Sequence, residues 1–256
     1  MNTQNKKLAV ITGASSGIGR DIAVCLNKMG YEVLLAARSE QRLNVVKDLL
    51  GSGAHTFVCD LSNRDDCFKL YEEANKLGDT EVVINNAGFG LFGEFKSSDL
   101  NTELNMIDTN ITSLHILTKL FLKDFVKKDS GYILNVASSA AFMPGPLMAT
   151  YYSTKAYVLR LTQSISRELK NSKSNVYIGA LCPGPVDTNF NNTANVKFAL
   201  KGLVSSEVAQ YAVKKMFDRK AIIIPGTAMK LAKFALRLIP DPLTSAIGYH
   251  IQSKKG

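Results

Sequence analysis

Thr12-Gly13-Ala14-Ser15-Ser16-Gly17-Ile18-Gly19 follows a short apolar run at 7–12 and opens an amphipathic run at 17–30. The first run reads as a buried strand and the second as a helix ending at Gly30, a residue suited to a helix C-terminus. Glycines between them let the backbone turn tightly and come close to a ligand. The helix N-terminus adds free N–H groups and a positive dipole end. The spacing Gly13-x-x-x-Gly17-x-Gly19 at a first strand-to-helix junction therefore predicts a pyrophosphate seat. Gly13, Ser15, Ser16, Gly17, Ile18 and Gly19 would form it. A glycine turn with only a structural role is the alternative reading.

The same alternation runs on through the chain. Apolar segments at 31–37, 56–60, 81–85, 132–138, 176–181 and 221–224 read as further strands. Amphipathic segments at 40–50, 64–77, 100–127, 150–171 and 207–218 read as helices. Strands this apolar are buried on both faces, as in a parallel sheet covered by helices. Strict alternation predicts an α/β, doubly wound (Rossmann) fold with a seven-stranded parallel sheet. One domain is expected over 1–226, with a helical extension at 227–256.

The bulk composition fits that reading. A chain of 256 residues, 46% apolar, can bury one large α/β core. Among the four cysteines, Cys25, Cys59 and Cys182 lie in apolar surroundings and read as buried thiols; no metal-like spacing is present. Cysteine usage suggests a reducing cytoplasm. The first residues lack the pattern of a signal peptide, and no apolar stretch is long enough to span a bilayer. His55, His115 and His250 are scattered and read as structural or surface residues, and no metal site is expected. The net charge of +9 is spread without a nucleic-acid motif. It suits an anionic cofactor or substrate, not DNA or RNA.

In a dinucleotide fold the end of the second strand meets the adenosine ribose. Here it reads Leu35-Ala36-Ala37-Arg38-Ser39. Ala37 brings no carboxylate to repel a 2′-phosphate, and Arg38 offers a planar donor fork. The expectation is NADP(H) over NAD(H). Asp60 and Leu61 close the third strand. Asp60 suits the adenine amino group or, equally, a cap of the next helix, a role for which Ser62 competes.

Tyr151 and Lys155 share one helical face, a turn apart, with Ser138 thirteen positions upstream. A phenol can give a proton to an alkoxide and, as phenolate, take it back. Bringing a phenol that titrates near ~10 to neutrality takes about 4 kcal/mol of phenolate stabilisation. An ammonium one turn away is the right kind of help, and Lys155 is expected to supply much of it. Ser138 can orient the substrate oxygen. Tyr152 lies about 100° round the helix and has no Lys four positions on, so it reads as packing or surface. Ser139, beside Ser138, reads the same way, since neighbouring strand residues face opposite sides.

In order and spacing, the glycine turn, Asn85-Asn86-Ala87-Gly88, Asn110, Ser138, Tyr151 to Lys155, Pro183-Gly184 and Thr188 resemble the short-chain dehydrogenase/reductase family over residues 7–226. The Leu-Ala-Ala-Arg-Ser-Glu run and the tail look most like its bacterial branch often labelled DltE-like, close to ketoacyl and hydroxysteroid reductases. The resemblance implies that Asn86, Ala87 and Gly88 lie along the adenosine-ribose side. It places Pro183, Gly184 and Thr188 at the nicotinamide end and Lys155 on the nicotinamide ribose. It gives Asn110 a water in a proton relay. It also implies a homodimer or homotetramer, with helices 100–127 and 150–171 as candidate faces.

The chain therefore reads as an NADP(H)-dependent oxidoreductase acting on a small carbonyl or alcohol. A non-catalytic dinucleotide sensor is the alternative, although a sensor has no need of Asn110, Ser138, Tyr151 and Lys155 together. Phe190, Phe198, Leu200 and Leu203 are candidate apolar walls for the substrate. The basic amphipathic run at 228–239 reads as a cap or subunit interface, or else as a membrane-surface segment beside a lipid-like substrate.

Overall fold

β1 (Leu8–Thr12) is buried along its whole length, and its alternate residues feed two cores. Ala9 and Ile11 pack on one face of the sheet, with Val33 and Leu35 of β2 (Glu32–Ala37). Leu8 and Val10 pack on the other, with Leu34 and Ala36. A strand covered on both sides has no polar face, which is why these runs are apolar throughout.

The computed structural model describes residues 7–188, 202–236 and 238–253. After β1 come α1 (Gly17–Lys28), β2, α2 (Glu40–Leu50), β3 (Ala54–Val58), α3 (Arg64–Leu77) and β4 (Thr80–Asn85). Then follow α4 (Leu100–Ile107), α5 (Ser113–Lys127), β5 (Tyr132–Val136), α6 (Ala149–Asn171) and β6 (Tyr177–Leu181). The chain continues with β7 (Val186–Asp187), β8 (Leu203–Val204), α7 (Ser205–Phe217), β9 (Ile222–Ile223), α8 (Thr227–Leu236) and α9 (Asp241–Ser253). Seven strands form one sheet in the order β3-β2-β1-β4-β5-β6-β9, every pair parallel. The order reverses between β1 and β4, and the carboxyl ends of the strands there form the crevice where such sheets bind ligands.

Several expectations are corrected. The third strand is Ala54–Val58, so Asp60 and Leu61 lie in the turn beyond it. The helix expected over 100–127 is interrupted by a π turn, Asp108–Thr112, which contains Asn110. Such wide turns insert one residue into a helix and recur at functional sites. β7 and β8 form an extra two-stranded sheet. Leu203, expected on the substrate wall, lies in β8 and packs against the main core. Phe190, Phe198 and Leu200 lie outside the described residues. Cys25, expected buried, is only half-buried, whereas Cys67 is buried in the core between α3 and the sheet. Its thiol is pushed up to about 12 by burial, as are those of Cys59 and Cys182. Among the described residues no helix is long and apolar enough to cross a membrane.

A buried polar network lies beneath the crevice. Asn135 Oδ1 accepts from Asn85 Nδ2 at 2.8 Å and from Thr118 Oγ1 at 3.3 Å. Asn135 Nδ2 donates to Thr162 Oγ1 at 2.9 Å, which ties β4, β5 and α5 to α6. Replacing Asn135 takes one hydrogen bond from each of Asn85, Thr118 and Thr162. We expect Asn135→Leu to cost about 2–3 kcal/mol, read as a lower urea midpoint. An unchanged midpoint would show the network to be dispensable.

Candidate active site

The glycine turn closes against β4 through side chains from both strands. The Thr12 hydroxyl accepts from the N–H groups of Asn86 at 2.9 Å and Ala87 at 3.0 Å. Asn86 Nδ2 donates to the carbonyls of Thr12 at 3.0 Å and Gly13 at 3.2 Å. Gly13 has φ +64°, and a Cβ there would stand 2.8 Å from Asn86 Nδ2. Gly17, at φ +55°, would set a Cβ 3.0 Å from Thr188 Cγ2. Ser16 holds the α1 N-cap position but makes no side-chain cap, so the first N–H groups of α1 face the crevice uncapped by it. A glycine cradle at a helix N-terminus suits a phosphate.

A cleft of about 490 Å³ opens from this turn, a size that accommodates cofactors. Gly13, Ser15, Ser16, Gly17 and Ile18 line one end, with Arg38, Asp60 and Leu61 beside them. Asn86, Ala87 and Gly88 follow along the wall, then Ser138, Tyr151 and Lys155, with Pro183, Gly184 and Thr188 opposite. Most of the expected residues, scattered over 176 positions, thus meet in one cleft.

Two of the expected residues do not line it. Gly19 is buried under the turn, where a Cβ would press on Asn86 Nδ2 and Gly13 O, so its role is packing. The Asn110 side chain is committed elsewhere. Its Oδ1 accepts from Phe89 N at 3.0 Å, and its Nδ2 donates to Phe89 O at 2.9 Å and Thr154 Oγ1 at 3.1 Å. It pins the segment after Gly88 to α6. Asp60 is not a helix cap either, since Asn63 caps α3. Asp60 Oδ1 accepts from Ser62 N at 3.0 Å and Ser62 Oγ at 2.9 Å.

Ser138 caps a 3-10 turn, Ser139–Phe142, with its Oγ accepting from Ala140 N at 3.1 Å. It also hydrogen-bonds the Tyr151 hydroxyl. Lys155 is buried, and its ammonium donates to Val136 O at 2.9 Å while standing 5.9 Å from the Tyr151 ring centre. Gly88 makes room, since a Cβ there would lie 2.8 Å from Asn110 Oδ1 and 3.3 Å from Lys155 Nζ.

The electrostatics correct the simple expectation for this pair. Burial pushes the Tyr151 phenol up to about 12, outweighing the hydrogen bond with Ser138. Burial also pushes Lys155 down to about 8. Desolvation disfavours both charged forms, and the ammonium is directed at a backbone carbonyl. The phenol thus holds its proton at neutral pH.

The cleft also has walls not expected from the sequence. Arg42, in the first turn of α2, lines the same end as Arg38. Ser139 lines the cleft because the strand has ended and alternation no longer turns it away. Tyr152 lines it as well, beside Tyr151. Met229 and Gln252 reach the cleft from the tail, which supports the capping reading of that segment. Among the described residues no cluster suited to a metal ion is found.

Comparison with known proteins gives the family and the fold. The family model for short chain dehydrogenases matches residues 7–199. An uncharacterised oxidoreductase of Staphylococcus epidermidis is 39% identical over 189 residues, 72% of this chain and 79% of the relative. The solved structure of a short-chain dehydrogenase from Sphingobium yanoikuyae in complex with NADPH has a TM-score of 0.81 at 28% identity, covering 91% of this chain and 96% of that one. A short chain dehydrogenase/reductase from Burkholderia phymatum in complex with NAD shares the fold, with a TM-score of 0.83 at 24% identity over 91% and 94% of the two chains. The chain belongs to the short chain dehydrogenase family of oxidoreductases.

Proposed function

We propose that the protein interconverts a carbonyl and an alcohol with NADP(H), chiefly as a reductase. The observation that carries this reading is the meeting of Ser138, Tyr151 and Lys155 in one cleft with a glycine cradle and Arg38. A panel of ketones, ketoacyl thioesters and sugars, followed by NADPH absorbance, tests it. Dinucleotide binding without turnover of any of them would favour a sensor.

The cradle and cleft fit a nicotinamide dinucleotide, which supplies or takes the hydride when bound. Gly13, Gly17 and the α1 N-terminus would hold its pyrophosphate, and Lys155 and Thr188 its nicotinamide end. Ser138 orients the substrate oxygen. Tyr151 gives that oxygen a proton as negative charge develops on it, and Lys155 stabilises the phenolate left behind. A phenol with its pKa pushed up to about 12 starts protonated, as the acid in the reductive direction must be.

Arg38 is exposed at the nucleotide end of the cleft and free to meet a 2′-phosphate. Losing a charge-assisted hydrogen bond costs about 1.5–3 kcal/mol. Arg38→Ala is therefore expected to weaken NADPH binding by about 10–100-fold and to leave NADH binding unchanged. Titration calorimetry with both cofactors checks this, and an unchanged preference would refute the NADP(H) assignment.

A further inference from the structure

We infer that the cleft holds a second, neutral polar subsite, formed by Gln252 and Tyr152, that binds a hydroxyl or amide of the substrate away from its reacting carbonyl. The inference rests on the oxidoreductase reading above. α9 reaches the cleft by leaning on the segment before α6. Gly248 is buried there, and a Cβ on it would stand 3.0 Å from Pro144 O and 3.1 Å from Met143 Cε. That contact sets Gln252, only 1% exposed, into the cleft wall.

Gln252 Nε2 donates to the Tyr152 hydroxyl. Its Oε1 is buried and has no partner among the described residues. A buried amide with an idle end is costly unless something else engages it. If the amide is turned over, Tyr152 donates to the oxygen and the nitrogen is idle instead; a hydroxyl or amide serves either end. Tyr152 packs edge-on against Tyr151, ring centres 6.1 Å apart, so the subsite lies about one ring from the proton donor. Tyr152 packs against an apolar cluster that includes Met148, Ala140 and Phe89. A neutral group fits such surroundings and a carboxylate or phosphate does not.

The test is a series of hydroxyketones with the hydroxyl moved carbon by carbon, each paired with its deoxy parent. For one position the wild type should show about tenfold higher kcat/KM for the hydroxyketone, the worth of a neutral hydrogen bond. In Gln252→Leu that ratio should fall to near unity, and Tyr152→Phe should reduce it. No preference at any position, or a ratio unchanged in Gln252→Leu, overturns the subsite. If no ketone in the series is turned over, the carbonyl reading itself fails and the subsite falls with it.

The outer face of the tail carries a second inference independently. We propose that α8 docks on an anionic lipid surface. Leu231 and Phe234 of α8 are 71% and 66% exposed, and Leu238, in the turn after the helix, is 74% exposed. Residues 227–256 carry Lys230, Lys233, Arg237, Lys254 and Lys255 against Asp241 as the one acidic residue. An apolar stripe in a basic segment complements an anionic membrane. The full chain should sediment with vesicles of phosphatidylcholine mixed with phosphatidylglycerol, and less with phosphatidylcholine alone. The triple variant Leu231→Ser, Phe234→Ser, Leu238→Ser should stay in solution. Wild type remaining in solution, or equal sedimentation of the variant, overturns the proposal. So does self-association that the variant loses without any vesicle binding, which would assign the stripe to a second copy.

Discussion

Tyr151→Phe is expected to lower kcat/KM for carbonyl reduction by about 10²–10⁴-fold, the range that general acid catalysis contributes. Dinucleotide affinity should be unchanged, because the ring and its packing remain. The substitution removes one hydroxyl, which hydrogen-bonds Ser138 and lines the cleft. Tyr152→Phe serves as the comparison: its hydroxyl is engaged by Gln252, so it should lose far less on a simple ketone. Steady-state kinetics together with NADPH binding separate the two. Near-normal turnover by Tyr151→Phe would remove the proton donor from the mechanism.

Lys155→Ala is expected to lower kcat by about 10²–10³-fold, as loss of a preorganised electrostatic group does. The pH profile distinguishes this role from mere packing. An ordinary Lys stays charged well past pH ~10. Burial pushes Lys155 down to about 8, so its charge is lost as pH rises through that value. Reduction needs the cation, so wild-type kcat/KM should be flat below pH 8 and fall above it. The falling limb should be absent from whatever activity Lys155→Ala retains. Tyr151, pushed up to about 12, adds no limb in the accessible range. A wild-type profile flat through pH 10 would show that Lys155 does not titrate in the working enzyme.

Much of the site was legible because its elements are local. The glycine turn, Arg38 and the Tyr151–Lys155 pair each belong to one strand end or one helical turn, where spacing fixes direction. Legibility failed where a residue's role depends on a distant partner. The amide of Asn110 ties Phe89 to Thr154, contacts that its place in the sequence does not show. Leu203 is apolar and near the cleft in sequence, but pairing of β7 with β8 turns it to the core. Tyr152 packs, as its place on the helix predicts, but its hydrogen bond with Gln252, a hundred positions on, has no signal in the sequence.

The sequence by itself determined the α/β alternation, the parallel sheet and the identity of Ser138, Tyr151 and Lys155 as one set. Apolar runs with no polar face must be covered on both sides, and that requirement leaves few architectures. Only the tertiary structure decided how the set is tuned. The phenol is pushed up to about 12 and the ammonium down to about 8 by burial that strands, helices and tail produce together. Desolvation depends on every neighbour in space, so no spacing along the chain encodes it.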